Sequence, residues 1–428
     1  MNRLTKPRWL FELIELRRYD ILLLMAAVIF PLYKTGVTAA LIVPLLAICS
    51  LYQYFITESP KSPGEFKTRI WHFTITVGFY LLTLLSFIYT SDIEDGVRTL
   101  RYNVYLLLFP LFIILLGGNI TDNYFKKICF SFVIGCAAFM VYVHCQFYGH
   151  GLYANFRPAE FNDLPFRKVL MNLPYAKTHP TYMSMWFLFS SLFLIHYTIK
   201  NRVGTYFTLL ATILVCLFVA SSVLVSSKIA VLAFFCSLAV LIFQAIKNKL
   251  VAIVAFFILV VVFATALFNI SFLRARFIDE FRATKFKPPV GLNTNSLNVR
   301  VGIFECSKTV FINNWLFGTG IGDAQNELNK CYDNFDTNFY REGKYNTHNN
   351  YFDIAITTGV LGLAAFLFMW TFHIVQAVRN GNSLFLVFLV FVLVCMLGEN
   401  ILSRYNGVVF YAIFNSLFVR LNLQGKTV

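Results

Sequence analysis

The sequence predicts an all-α, polytopic membrane protein with about twelve transmembrane helices and one long extracytoplasmic loop that carries short helices of its own. Three observations predict it. The 428 residues are 58% hydrophobic and 18% aromatic but only 13% charged, whereas soluble domains carry about 25% charged residues. Apolar runs of the length that a bilayer core of roughly 30 Å demands recur along the chain. Lys and Arg gather in every second short connection, the bias that sets membrane topology.

Residues 1–19 are expected as a cytoplasmic N-terminal segment. They carry Arg3, Lys6, Arg8, Arg17 and Arg18 and lack a small-residue cleavage site, so they do not read as a cleavable signal. Leu10, Phe11, Leu13, Ile14 and Leu16 fit one face of a short interfacial helix, and a frayed basic terminus fits as well. Apolar segments follow at about 20–33 (interrupted by Pro31), 37–56, 71–89, 103–118, 127–148, 182–199, 206–225, 229–246, 250–268, 351–377, 383–398 and 405–421. Nine helices are thus expected in 20–268 and three in 351–421, with the long loop at 269–350 and a cytoplasmic tail at 422–428.

The basic connections hold Lys61, Lys67 and Arg69, then Lys126 and Lys127, Lys200 and Arg202, Lys247 and Lys249, Arg379, and finally Arg420 and Lys426. The alternate ones are poorer: Lys34, Arg98 and Arg101 offset by Asp92, Glu94 and Asp95, then Lys228 and Arg404. This pattern puts both termini in the cytoplasm and the loops 149–181 and 269–350 outside. The net charge of +15 is dispersed over these loop ends, where it meets anionic headgroups, so no nucleic-acid partner is expected. No internal repeat, heptad or low-complexity tract is evident, nor the pair of broken helices that secondary transporters often show.

Nine cysteines form no Cys-x-x-Cys and no metal-ligand spacing. Seven lie in apolar segments, where cysteine behaves as a small hydrophobe. Cys306 and Cys331 fall in the long loop; they can form a disulfide if that side is oxidising, or stand as two independent thiols. A loop of this size is expected to have structure or function of its own. Residues 272–286 set Arg274, Arg276, Arg282 and Lys285 among Phe277, Ile278 and Phe281, the pattern of an amphipathic helix on a membrane surface. Residues 296–313 suit a second helix, followed by a tight turn at Trp315-Leu316-Phe317-Gly318-Thr319-Gly320-Ile321-Gly322-Asp323. That turn has no Walker lysine and no preceding strand, so it reads as a backbone turn and not a nucleotide site.

The loop ends at Thr347-His348-Asn349-Asn350-Tyr351-Phe352-Asp353, at the mouth of the tenth apolar segment. His348 is the candidate catalytic base, because an imidazole can take a proton from a hydroxyl at neutral pH. Asn349, Asn350, Tyr351 and Asp353 are placed to orient it or to hold a hydroxyl-rich substrate. Arg300 offers a planar fork that matches phosphate oxygens; a snorkelling interfacial arginine is the plainer reading. Lys228, in Ser226-Ser227-Lys228, interrupts two apolar runs and must face a cleft, a partner or headgroups. Arg98 and Arg101 flank the outer end of the fourth segment. His179, in Thr178-His179-Pro180-Thr181, sits at the mouth of the sixth, as a site residue or a helix start. Glu399 and Arg404 bracket the last outer turn as a structural pair. Cations converging on a histidine suit transfer of a group that leaves as a phosphate or pyrophosphate.

These features together resemble the O-antigen ligase and polymerase superfamily of bacterial envelopes. The resemblance rests on the span count, on the long loop between the ninth and tenth segments, and on one motif order in the loop. That order is Arg300, then Trp315-Leu316-Phe317-Gly318-Thr319-Gly320, then His348-Asn349-Asn350-Tyr351. It implies an inner-membrane glycosyltransferase with its active site at the periplasmic face. The implied donor is an undecaprenyl-pyrophosphate-linked glycan, and ligases of the family pass the glycan to lipid A-core with inversion, without metal or cofactor. The family histidine carries over to His348 and the loop arginine to Arg300. A family Ser-Arg element at the outer end of a helix matches Ser227-Lys228, with lysine in place of arginine and so without the bidentate fork. A polymerase with a lipid-linked acceptor and a protein O-oligosaccharyltransferase share this architecture; a flippase or solute transporter is the alternative from a different class.

Overall fold

The computed structural model describes residues 43–52, 54, 63–154, 165–174, 177–291, 294–343 and 345–425. The N-terminal segment and the first expected helix at 20–33 lie outside the described residues. Within them the chain is helical and has no β-strand. The helices, in chain order, are α1 (Val43–Tyr52), α2 (Pro63–Leu85), α3 (Ile93–Asn103), α4 (Tyr105–Pro110), α5 (Asp122–Gly149), α6 (Pro165–Met171), α7 (Pro180–Asn201), α8 (Thr205–Leu224), α9 (Lys228–Ala245) and α10 (Lys249–Asn269). The loop contributes α11 (Ser296–Asn313) and α12 (Ala324–Tyr332), and α13 (Asn350–Arg379), α14 (Ser383–Met396) and α15 (Tyr405–Leu423) complete the bundle.

Eight stretches among the described residues are long and apolar enough to cross a bilayer. The sequence led us to expect about twelve; the segment at 20–33 and both ends of the one at 37–56 lie outside the described residues, and the last two expected segments fall short for physical reasons. α14 is apolar but only 14 residues long. α15 carries Asn406, Asn415, Ser416, Arg420 and Asn422 within 19 residues. Both are wrapped by other helices, so they need not match the bilayer as lipid-facing helices must. The core is built on them: Phe388, Phe410 and Phe414 meet Phe189 of α7, with ring centroids 5.0 to 5.5 Å apart. α10 is the opposite case, with Leu250, Phe257 and Val262 more than 60% exposed. That is the surface a membrane helix turns toward hydrocarbon.

Backbone caps set the helix starts. Asn295 and Asn298 form a reciprocal capping box on α11, Asn248 caps α10 and Asn382 caps α14, each satisfying otherwise orphan N–H groups. The expected helix at 296–313 is therefore present with those bounds. The expected helix at 272–286 is instead three short pieces over 271–283, the central one a π-turn at Arg274–Asp279. Cys306 and Cys331 are bridged and tie α11 to α12.

One feature fixes where the loop sits. α13 is broken at Gly359, whose φ is 66° and ψ −165°. The break frees the carbonyls of Ile356 and Thr357, and the N–H groups of Thr319 and Gly320 take them at 2.7 and 3.0 Å. Val360 N–H donates back to Trp315 O at 2.8 Å. The glycines are what allow this approach: a Cβ on Gly359 would lie 2.2 Å from Leu316 O, and one on Gly318 2.4 Å from Thr357 C. The turn's far side is held by Asp323, which accepts from Ser91 N and Asp92 N at 2.7 and 2.9 Å, and by Gly322 N–H on Thr90 Oγ1 at 3.0 Å. The Gly-rich turn is thus a seam between the loop, α13 and the α2–α3 link. At the other end of the bundle, Arg69 and Arg420 bond the carbonyls of Gly117 and Gly118.

Candidate functional site

His348 precedes α13 with φ of 44°. A left-handed non-glycine residue costs of order 1–2 kcal/mol, and its surroundings hold it there. Its N–H donates to Asn346 Oδ1 at 3.1 Å. Thr347 Oγ1 bonds Asn349 O and Asn400 Oδ1. Asn349 caps α13 through the N–H groups of Tyr351 and Phe352, and its amide reaches Leu397 O at 3.2 Å. Asn350 Oδ1 accepts from Leu402 N at 2.8 Å, and Tyr351 OH donates to Leu393 O at 3.0 Å. The Asn349, Asn350 and Tyr351 groups that bond here lock the α13 start onto the α14–α15 turn. Asp353 does the same, accepting from Asn400 Nδ2 at 2.9 Å and Ser403 Oγ at 2.5 Å.

The carboxylate facing His348 is Glu399, which sequence reasoning had paired with Arg404 as a structural couple. Glu399 is 2% exposed, and its two oxygens face two histidines. Oε1 lies 3.4 Å from His348 Nδ1, and Oε2 lies 3.9 Å from His179 Nδ1. The first distance is that of an ion pair and longer than a tight hydrogen bond, as catalytic contacts often are before substrate binds. The correction has a simple cause: the turn at 397–404 folds inward, so the acid meets a residue 51 positions earlier. One signal was available. Glu399 is the sole acidic residue between Ser383 and Leu421, and a carboxylate in a short link between apolar segments needs a reason.

Burial works to raise the Glu399 carboxyl, but His348, His179 and Arg404 outweigh it and hold it below the usual carboxylate range. Burial pushes His179 down to about 3, with Glu399 pulling against it and Arg167 and Arg404 adding to it. His179 is therefore uncharged at neutral pH, which leaves Arg404 and His348 as the groups that hold Glu399 ionised. His179 also caps α7 through Thr181 N–H and sits 3.2 Å from an Arg167 guanidinium nitrogen, so the helix start and the contact with Glu399 share one ring.

His179 opens onto a cavity of about 340 Å³ whose walls include Lys177, Arg404, Tyr102 and Tyr182. The two cations in its wall, Lys177 and Arg404, make it suited to an anion. Lys228 lies elsewhere: Nζ pairs with buried Glu280 at 2.9 Å and stands 5.8 Å above the Phe277 ring. Glu280 also bonds Ser296. Lys228 thus anchors the loop's entry, next to the site in the fold because Ile229 packs on Gly398. Arg300 is exposed on α11. Phe304, one turn on and on the same face, packs on Phe352 of α13 at 5.3 Å, which turns the Arg300 side of α11 toward the start of α13. Arg98 pairs with Asp95 on α3. Both Arg98 and Arg101 are exposed, and neither lines the His179 cavity. No group of three or more His, Cys, Asp or Glu among the described residues could hold a metal.

Residues 213–367 match the model of a family described as O-antigen ligase. The matched stretch runs from within α8 through the loop and past the α13 break. It contains His348, Arg300 and Lys228, while His179 and Glu399 lie beyond it. No curated protein matches the chain.

Proposed function

From a membrane protein whose matched domain supports membership in the O-antigen ligase superfamily, we propose an inverting glycosyltransferase of the ligase type. It moves a glycan from undecaprenyl pyrophosphate to a hydroxyl of lipid A-core, at the periplasmic face of the inner membrane, without ATP, metal or cofactor. About twelve spans and an outward-facing 269–350 loop belong to this proposal. The observation that carries it is the His348–Glu399 pair beside a cationic cavity.

A carboxylate only accepts hydrogen bonds, so His348 presents Nδ1–H to Glu399 and leaves Nε2 as the base. Nε2 takes the proton of the acceptor hydroxyl as its oxygen attacks the anomeric carbon. The bond from that carbon to the pyrophosphate oxygen breaks, and its electron pair leaves with the pyrophosphate. Glu399 stabilises the imidazolium as it forms. Lys177 and Arg404, with Arg300 from the loop, meet the charge on the leaving group. Lys228 secures the loop that brings Arg300.

The test is transfer in a purified system with undecaprenyl-pyrophosphate-linked glycan and lipid A-core, without ATP or metal, for wild type and His348→Ala. Glycosylated lipid A-core formed by wild type alone supports the reading. Longer lipid-linked glycan instead would make the protein a polymerase, and product on a protein acceptor alone an O-oligosaccharyltransferase. Wild-type rates in His348→Ala would remove the base.

A further inference from the structure

A second cavity, of about 150 Å³, adjoins the first at Ser403 and has the opposite chemistry. α2, α3, α12, the start of α13 and the 400–403 turn enclose it. Among the described residues, no lysine or arginine lines it. Its polar wall is made of amides, hydroxyls and carboxylates, among them Asp95, Thr99, Asn103 and Gln325. Phe79, Tyr80 and Ile354 supply an apolar side.

Asn103 marks it as more than a packing defect. It is 8% exposed, and its Oδ1 has no hydrogen-bond partner among the described residues. A buried amide left unpaired costs about 1–3 kcal/mol, so a polar group in the cavity is needed to offset it. The neighbouring Asp353 and Asn400 already pair with each other, and nothing on α3 turns to Asn103 Oδ1. Among the described residues nothing offers Asn103 Oδ1 a donor, which leaves it open to one that enters the cavity.

We propose that this cavity is a subsite for one neutral, hydroxyl-rich ring, a sugar of the glycan substrate; this rests on the transferase reading above. The absence of cations disfavours phosphate. Amide, hydroxyl and carboxylate groups beside apolar ones match a ring with hydroxyls on its edge and C–H bonds on its face. Drug-sized ligands occupy pockets of about 300–1,000 Å³, so this volume suits a single ring. The sugar belongs either to the donor glycan or to the acceptor, and the chemistry is the same for both.

The test uses the full chain in detergent with methyl hexopyranosides as probes, read by saturation-transfer NMR, and inorganic pyrophosphate as a control ligand, read by calorimetry. Wild type and His348→Ala should bind a hexoside. Asn103→Leu should weaken it by about tenfold, the value of one lost hydrogen bond with a group left unpaired, with pyrophosphate binding unchanged. Should Asn103→Leu fold poorly, Thr99→Val serves in its place. In transfer assays the same variant should raise KM for the lipid-linked donor if the ring is the donor's, or for lipid A-core if it is the acceptor's. Wild-type hexoside affinity in both variants, an unchanged KM for both substrates, or no hexoside binding to wild type would overturn the proposal and leave a hydrated cavity only. Hexoside binding that Asn103→Leu abolishes, in a protein that transfers no glycan, would keep the subsite and discard the transferase reading.

Discussion

Replacing Glu399 by glutamine tests the site most directly, because it keeps the shape and removes the charge. At 3.4 Å and an effective dielectric of about 20, a carboxylate attracts a full imidazolium by about 5 kcal/mol. His348 is 22% exposed on its side chain, so solvent screens only part of this. A transition state in which the proton is half transferred would feel about half, roughly 2–3 kcal/mol, or about 30- to 150-fold in kcat. The assay is single-turnover transfer from lipid-linked glycan, with donor binding measured separately. Glu399→Gln should lose rate with donor affinity retained, and Glu399→Asp should recover part of it, because the charge returns even though it stands one methylene back. A Gln variant within about threefold of wild type would refute the argument, as it would leave the buried carboxylate without a part in the proton transfer.

The other expectations concern strain, the seam, the bridge and pH. His348→Asn and His348→Ala should both lose about 100-fold or more in transfer, but Asn tolerates the left-handed backbone and should unfold at a higher temperature than Ala, by about 1 kcal/mol of stability; equal stabilities would deny the strain. Gly359→Ala should destabilise by roughly 2–4 kcal/mol, from a positive φ and a Cβ that displaces Leu316 O, read by thermal unfolding in detergent. Cys306 and Cys331 should resist alkylation until reduced, and reduction should weaken the loop by about 3.5 kcal/mol for a separation of 25 residues. His179 is depressed to about 3 in the folded chain, so the unfolded chain binds the extra proton below about pH 6.5. Stability should thus fall as pH drops from about 6.5 toward 3, by about 1.4 kcal/mol per pH unit for this group, and His179→Asn should flatten that slope.

What could be read from the chain and what could not divide by range. Apolar runs announce helices because lipid and core impose the same 3.6-residue geometry on a local stretch, and α11 announces itself because Asn295 and Asn298 close a cap within four residues. The Trp315 to Gly322 turn was legible as a turn. Its partner was not, since Gly359 sits in an apolar run where a glycine looks merely tolerated. The histidines that face Glu399 were missed for the same reason: Arg404 is five residues away in sequence, and His348 is close only once the turn has folded in. Lys228 was rightly singled out as needing a partner, but Glu280, 52 residues on, carries no local mark. Asn103 gave no signal, because an unmet amide exists only in three dimensions.

The seam at the α13 break has a mechanical consequence. Three main-chain bonds join the turn to α13, and three bonds between main chain and side chain join it to residues 90–92. At about 1 kcal/mol net for each, prising the turn away would cost about 6 kcal/mol, an open fraction on the order of one in 10⁴. This part of the loop is a fixed roof and not a hinged door. A lipid-borne substrate would then reach the histidine from the side, between helices, with the roof left in place.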